Sequence, residues 1–215
     1  MRTVVAIDTS TPTTARLAVV RGQTVVSEDI LPAHRSHNAL LFEPLGKALA
    51  VVEPDVIAVG TGPGSYVGIR IAIAAALGIA MVKCIPVVGV PSLLCLSPDG
   101  AGDEPASAGS ELTVVGDARR GQVWLAQIEG DRMSAAPVIL APDDARKRIE
   151  AIGRAVVTPD AIAPLEGISA RQVAPSATLL AKRVACMADS EFGKLCKDAV
   201  FPIYLAAPFV TTPRK

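Results

Sequence analysis

The chain predicts an α/β fold made of two similar halves, and three observations carry that prediction. Short β-branched runs alternate with longer apolar segments of helical length. The order strand, aspartate, hairpin, helix, strand, helix occurs twice, once from Thr3 and again from Leu112. Between the two lies Ser97 to Ser110, SPDGAGDEPASAGS, which is rich in Gly, Ser, Ala, Pro and acid and has no apolar periodicity. We therefore expect a first half over residues 1–98, a loop over 99–111 and a smaller second half over 112–215.

In the first half, Thr3–Ile7 is a strand-forming run closed by Asp8, with Thr9, Ser10, Thr11 and Pro12 as a polar turn. Ala15–Val20 and Gln23–Glu28 flank Arg21-Gly22 and read as a hairpin. From about Ser36 a helical stripe follows, with Leu41, Leu45 and Leu49 four residues apart. Pro44 inside it predicts a kink or a break. Val56–Val59 reads as a buried strand leading into Gly60–Arg70, GTGPGSYVGIR, and then a long apolar helix over Ile71–Val82. Ile85–Val90 closes the half as another short strand.

The glycine loop is the most informative stretch. Three glycines and a proline in five residues let the backbone turn sharply and approach a neighbour closely. Ser65 is placed to cap the helix, leaving its first N–H groups directed out of the loop. Such a loop suits an anion or a second protein backbone; a tight strand-to-helix connection with no ligand is the alternative. It is neither a Walker A motif nor a Rossmann fingerprint, because no Gly-Lys-Ser/Thr follows and Ser65 stands where the third glycine would be. The candidate anion or nucleotide set is Asp8, Thr9, Ser10, Gly62, Gly64 and Ser65. Arg70 opposes the helix dipole near its positive end and calls for compensation by a carboxylate such as Asp8 or Asp117, or by an acid on a partner. The Arg70–Asp117 pair is the expected structural one, and a solvated Arg is the alternative. Gly68, Ala72, Ala76 and Ala80 recur every four residues, with Ile69 and Ile73 beside them. A helix this apolar needs cover on nearly all sides, so the surplus reads as a protein–protein interface, with burial in the chain's own core as the alternative.

The second half repeats the order. Leu112–Gly116 ends at Asp117, and Gln122–Glu129 alternates into a turn at Gly130-Asp131. After Pro142, Asp143 and Asp144 precede Arg146, Lys147 and Arg148, which suits a helix dipole. Ala155–Thr158 is a strand, and Pro175–Ala188 is an amphipathic helix with Leu180, Val184 and Met187 on one face.

Composition excludes several functions. Lys+Arg and Asp+Glu both number 21, so no net field draws the chain onto nucleic acid. One Trp, two Tyr and four Phe argue against stacking platforms for single strands. The four cysteines form no CxxC pair and read as buried free thiols of a reducing cytosol. Asp8 and the polar turn interrupt the first apolar stretch, so no signal peptide is expected. Ile71–Val82 falls short of the ~20 residues that span a bilayer, and the expected setting is soluble and cytoplasmic. His34 and His37 are the only histidines, and two ligands leave a metal site half built. No Ser/His/Asp set, Cys/His set or GxSxG elbow is present, so neither catalytic residues nor a cofactor are expected.

The ordered segments AIDTS (Ala6–Ser10), the His37 segment, GTGPGSYVGIRI (Gly60–Ile71), PVVGVPSL (Pro86–Leu93), DARRGQVW (Asp117–Trp124), PSATLLA (Pro175–Ala181) and PIYL (Pro202–Leu205) resemble the bacterial TsaB (YeaZ) family. The resemblance spans nearly the whole chain. It implies an actin-like ATPase fold with two RNase H-like βββαβα halves, within the glycoprotease-like superfamily of TsaD. It also implies a non-catalytic partner of TsaD, in a complex with a TsaE-like ATPase that forms threonylcarbamoyladenosine at position 37 of tRNAs reading ANN codons. On this reading tRNA is met through the complex, and a homodimer forms when TsaD is absent. The family pairs the helix after the glycine loop and the helix of the His37 segment with a partner. That marks His37, Leu41, Leu45, Gly68, Ile69, Ala72, Ile73, Ala76 and Ala80 as interface. The alternative is an independent nucleotide-dependent ATPase or kinase, or a metal-dependent hydrolase, of the same fold. HRSH does not restore the metal-binding pair of TsaD, whose histidines lie one residue further apart. Two departures stand out: Ala206 stands where the family's YLR carries arginine, and Pro44 sits one residue later than in the usual HSxxLLP pattern.

Overall fold

The computed structural model describes residues 1–32, 37–97, 111–161 and 164–205, apart from the side chains of 37–40. His34, the linker from residue 98 to 110 and Ala206 lie outside the described residues, as does the side chain of His37.

Six alternating positions in β1 (Thr3–Asp8) are all buried, which requires cover on both faces of the sheet. β2 (Thr14–Arg21) returns antiparallel, and Gly22 with φ +62° makes the turn into β3 (Thr24–Pro32). α1 (His37–Val51) then leads into β4 (Val56–Gly60), α2 (Tyr66–Lys83) and β5 (Val87–Val90). The sheet order is β3-β2-β1-β4-β5, with β4 parallel to both β1 and β5. α1 and α2 cover one face, setting Leu41, Leu45, Ile69, Ala72 and Ala76 against Val5, Ile7, Leu17 and Val59. The break expected at Pro44 does not occur, and α1 runs through it. Leu41 and Leu45, both fully buried on either side, hold the turn that lacks the proline's hydrogen bond.

α2 is longer than its apolar run suggested. Its 18 residues are by length and composition enough to cross a membrane, yet its inner face is packed on the sheet. Ser65 caps it as the sequence indicates, accepting from the Gly68 N–H at 3.2 Å, and Cys84 ends it with φ +54°.

A short 3₁₀ turn (Ser92–Cys95) and β6 (Leu96–Ser97) lead out of the first half. The second contains β7 (Glu111–Arg119), β8 (Gln122–Glu129), β9 (Arg132–Met133), β10 (Val138–Leu140), α3 (Pro142–Ile152), β11 (Ala155–Thr158) and β12 (Arg171–Gln172). Its sheet order is β10-β8-β7-β11-β12, with β9 paired to β8. This matches the first sheet strand for strand, including the antiparallel β7–β8 and parallel β7–β11 pairs. The fold is thus α/β, of the actin-like ATPase kind with two RNase H-like halves.

The second repeat departs from the first at its end. Where α2 separates β4 from β5, no helix joins β11 to β12 among the described residues. The chain instead returns through β13 (Ala174–Pro175), which pairs with β6, to α4 (Ala177–Cys186) and α5 (Asp189–Leu195). α4 lies on the free face of the first sheet, its Ala177, Leu180, Ala181 and Val184 against Val4, Ala6, Ala18, Val20 and Ala58. The sequence assigns this helix to residues 112–215 as part of the second half. Its packing belongs to the first, because alanines on both helix and sheet let the two layers approach closely.

All four cysteines are free, but only Cys95 is buried. Cys84 and Cys186 are exposed, contrary to the expected burial, since each sits at the end of a helix rather than along its inner face.

Candidate functional site

A cleft of about 540 Å³ opens between the two halves. The first half contributes Ser10, Thr11, Gly64, Ser65 and Tyr66. The second contributes Asp117, Arg119, Trp124 and Asp160, and Leu205 near the C-terminus joins them.

The glycine loop beside this cleft is closed on the chain's own backbone. A side chain at Gly64 would overlap the Ser10 carbonyl, and one at Gly68 the Thr9 carbonyl. At Gly60 the same atom would collide with the Asp8 carboxylate and lie 2.7 Å from Ser92 Oγ. The Ser65 N–H donates to the Ser10 carbonyl at 2.6 Å, and the Gly62 N–H to Ser92 Oγ at 3.0 Å. Gly62 has φ +88° and precedes a cis Pro63. The loop thus packs against the chain's own turn after β1. Ser10, Gly64 and Ser65 still reach the cleft, whereas Asp8 and Thr9, each 2% exposed, lie beneath its floor.

Asp8 ties these pieces together. Its Oδ1 accepts from the Ser10 N–H at 2.9 Å and from the Ser10 hydroxyl at 2.6 Å. Burial pushes its carboxyl above the ordinary value, and the hydrogen bonds from Ser10 and Ser92 and the charge of Arg16 oppose that rise. Arg16 faces Asp8 across the β1–β2 ladder and is itself buried. Burial lowers its pKa, against the charges of Asp8 and Glu28. Sequence reasoning missed Arg16 and Ser92; a cation inside the apolar strand TARLAVV was the available signal for the first.

The pair expected between Arg70 and Asp117 does not form. Arg70 is exposed, donates to the Tyr66 hydroxyl at 2.8 Å and lies 5.1 Å from that ring's centre. One turn of helix separates the two, so α2 satisfies its own cation without reaching across the cleft. Asp117 instead accepts from the Arg119 N–H at 2.7 Å and from its guanidinium at 3.0 Å. The Asp117 N–H in turn donates to Asp160 Oδ2 at 2.6 Å. Burial raises the Asp160 carboxyl, and the nearby charge of Asp117 adds to the rise. Arg119 and Arg120 both have positive φ, so the tip of the β7–β8 hairpin is left-handed over consecutive residues. Among the described residues, no group of three or more His, Cys, Asp or Glu side chains is gathered as metal ligands would be.

The interface residues expected on α1 and α2 are corrected by their burial. Leu41, Leu45, Gly68, Ile69, Ala72, Ile73, Ala76 and Ala80 all face the chain's own core. The small ones among them, Gly68, Ala72, Ala76 and Ala80, let α2 lie close to the sheet and to the turn after β1. The surplus apolar surface is the opposite face. Phe42, Ile71, Ala74, Ala75, Gly78 and Ile79 line a groove of about 470 Å³ between the two helices. On the same helix Met81 and Val82 are more than four-fifths exposed.

The family model described as TsaD, tRNA N6-adenosine threonylcarbamoyltransferase, matches residues 30–157. An uncharacterised protein of Mycobacterium tuberculosis is 33% identical over 148 residues, 66% of this chain and 66% of its own length. The tRNA threonylcarbamoyladenosine biosynthesis protein TsaB of Bacillus subtilis is 33% identical over 127 residues, 57% of this chain and 53% of that protein. The chain thus spans about two thirds of the first relative and about half of the second. The solved structure of YeaZ from Pseudomonas aeruginosa superposes with a TM-score of 0.65 at 21% identity, covering 95% of this chain and 100% of that one. That likeness shows a common fold.

Proposed function

The chain belongs to the TsaD family, on its TsaB (YeaZ) branch, and from that premise we propose that it serves in forming threonylcarbamoyladenosine on tRNA, as a non-catalytic subunit that docks a TsaD-like catalytic partner. The observation that carries this reading is the apolar groove between α1 and α2, lined by Phe42, Ile71, Ala74, Ala75, Gly78 and Ile79. An exposed apolar surface on two adjacent helices is the form a helix-pairing interface takes. The glycine loop supports the same reading, since it is filled by the Thr9–Ser10 backbone and works as a tight start for α2. On this proposal the chain acts in the cytoplasm, meets tRNA through the assembled complex alongside a TsaE-like ATPase, and uses the same groove to pair with its own copy when TsaD is absent.

The test is reconstitution of tRNA modification with purified TsaD, comparing the parent chain with Ala74→Arg and Gly78→Arg. Both positions are exposed in the groove, so each variant should fold normally. Each should weaken association with TsaD at least tenfold and reduce modification in parallel. Unchanged association in both variants would remove the groove as the docking face.

A further inference from the structure

The chain passes between the two halves along three routes. The first, through Leu96 and Ser97, and the second, through Ala174 and Pro175, are hydrogen-bonded to each other as β6 and β13. The Ser176 N–H adds a bond to the Cys95 carbonyl at 2.7 Å. This pair is a two-stranded joint between the halves. The third route is the segment after α5, residues 200–205, and it belongs to no sheet.

This segment grips both halves. Val200 packs on the first core, where a side chain at Gly89 would lie 2.9 Å from its methyl. The Ile203 N–H donates to the Thr61 carbonyl, inside the glycine loop, at 2.9 Å. The Tyr204 ring stands 5.4 Å from that of Tyr66, the first residue of α2, tilted by 37°. Leu205 then packs against the second half's core, which contains Trp124, and lines the cleft with it. Of these contacts only one is a backbone hydrogen bond, and the two tyrosines are each about half exposed.

We propose that residues 200–205 form a clasp that sets the opening of the cleft, and that releasing Tyr204 and Leu205 frees the two halves to part about the β6–β13 joint. A segment whose contacts, among the described residues, are one backbone hydrogen bond, a half-exposed ring pair and the packing of Val200 and Leu205 opens at low cost compared with either sheet. Its release acts on two places at once: the glycine loop through Thr61, and the start of α2 through Tyr66. This inference is independent of whether the α1–α2 groove docks TsaD.

The single tryptophan provides the reporter, because Trp124 is 2% exposed and lines the same cleft as Leu205. In the full chain, Tyr204→Ala and Leu205→Gly should raise acrylamide quenching of Trp124 several-fold. They should also speed hydrogen exchange over residues 60–66 and at the Ile203 amide by at least tenfold. Tyr204→Phe keeps the ring pair and should behave as the parent, as should Phe201→Ala, whose side chain is 73% exposed. The clasp is refuted if both disruptive variants, folded by circular dichroism, keep parental quenching and exchange. It is equally refuted if exchange quickens uniformly across both sheets, which would mark a general loss of stability.

Discussion

Gly68 and Thr9 approach so closely that a methyl group on the glycine would overlap the threonine carbonyl oxygen. This contact sets where α2 starts and explains why its inner stripe begins with the smallest residue. The stripe that looks like a helix-pairing motif is fitted to the turn after β1.

Gly68→Ala should therefore destabilise the chain by about 1–3 kcal/mol through overpacking, lowering Tm by about 2–12 °C. Gly46, on the exposed side of α1, has nothing within 4 Å of an added Cβ. Gly46→Ala should raise stability by about 0.5–1 kcal/mol, since only backbone entropy changes. Thermal unfolding of the two variants checks both signs, and equal shifts would contradict the packing described for Gly68.

Ala76 and Ala74 lie two residues apart on α2, one fully buried and the other exposed. Ala76→Arg forces a charge among Val5, Ile7 and Val59 and should cost more than about 4 kcal/mol, with loss of the folded state in mild urea. Ala74→Arg should stay within about 0.5 kcal/mol of the parent. Urea midpoints decide the matter; similar midpoints would mean the helix is rotated from the face described.

Asp8 titrates abnormally because burial outweighs its hydrogen bonds and the nearby Arg16. Its folded pKa lies above the ordinary 3.8, so the folded state holds this proton to higher pH than the unfolded chain does. Between those two values the unfolded state binds fewer protons, and the group lowers stability as pH rises; above the folded value its effect is constant. Asp8→Asn carries no such titration. Relative to the parent, its stability should improve as pH is raised from about 4, and then level off. Urea unfolding across pH measures this, and a parent that gains stability relative to Asp8→Asn as pH rises would contradict it.

The thiols should separate by position. Cys84 and Cys186 are exposed and should react at once with a thiol reagent, Cys196 more slowly. Burial pushes Cys95 up to about 12, so at pH 8 only about one molecule in 10⁴ carries the thiolate. Two fast equivalents, one slow and one silent until urea is added are expected; rapid labelling of Cys95 in the native chain would contradict its burial.

Much of the architecture is readable from local pattern. The recurrence of a strand ending in aspartate, followed by a hairpin, marks the two sheets whose strand orders coincide. Ser65 as a cap, the sharp turn at Gly60–Gly64 and the acids in the first turn of α3 follow from residue type and spacing, whereas Arg146, Lys147 and Arg148 fall mid-helix and leave its last turn without a base. These are short-range effects, carried by φ/ψ limits and hydrogen bonds within a few residues.

The candidate site was less legible, and α2 shows why. Its apolar residues occupy nearly the whole circumference, so periodicity alone does not say which face turns inward. Small residues every four positions suit a second helix and a crowded sheet equally well. Arg70 likewise needed a partner that spacing did not identify, and the nearest one proved to be Tyr66, a single turn away.

By itself, then, the sequence determined the main strands and helices, the Ser65 cap and the shared order of the two halves, because each depends on neighbours along the chain; the short strands β6, β9, β10, β12 and β13 and helix α5 carry no such local signal. The tertiary structure decided that the glycine loop receives the Thr9–Ser10 backbone, that α4 covers the first sheet, and that the exposed apolar side of α2 carries Ala74, Leu77 and Gly78 rather than Ala72 and Ala76. Each of those outcomes depends on how closely segments far apart in the chain can approach, and the volume of Gly68 and its companion alanines has meaning only once that approach is made.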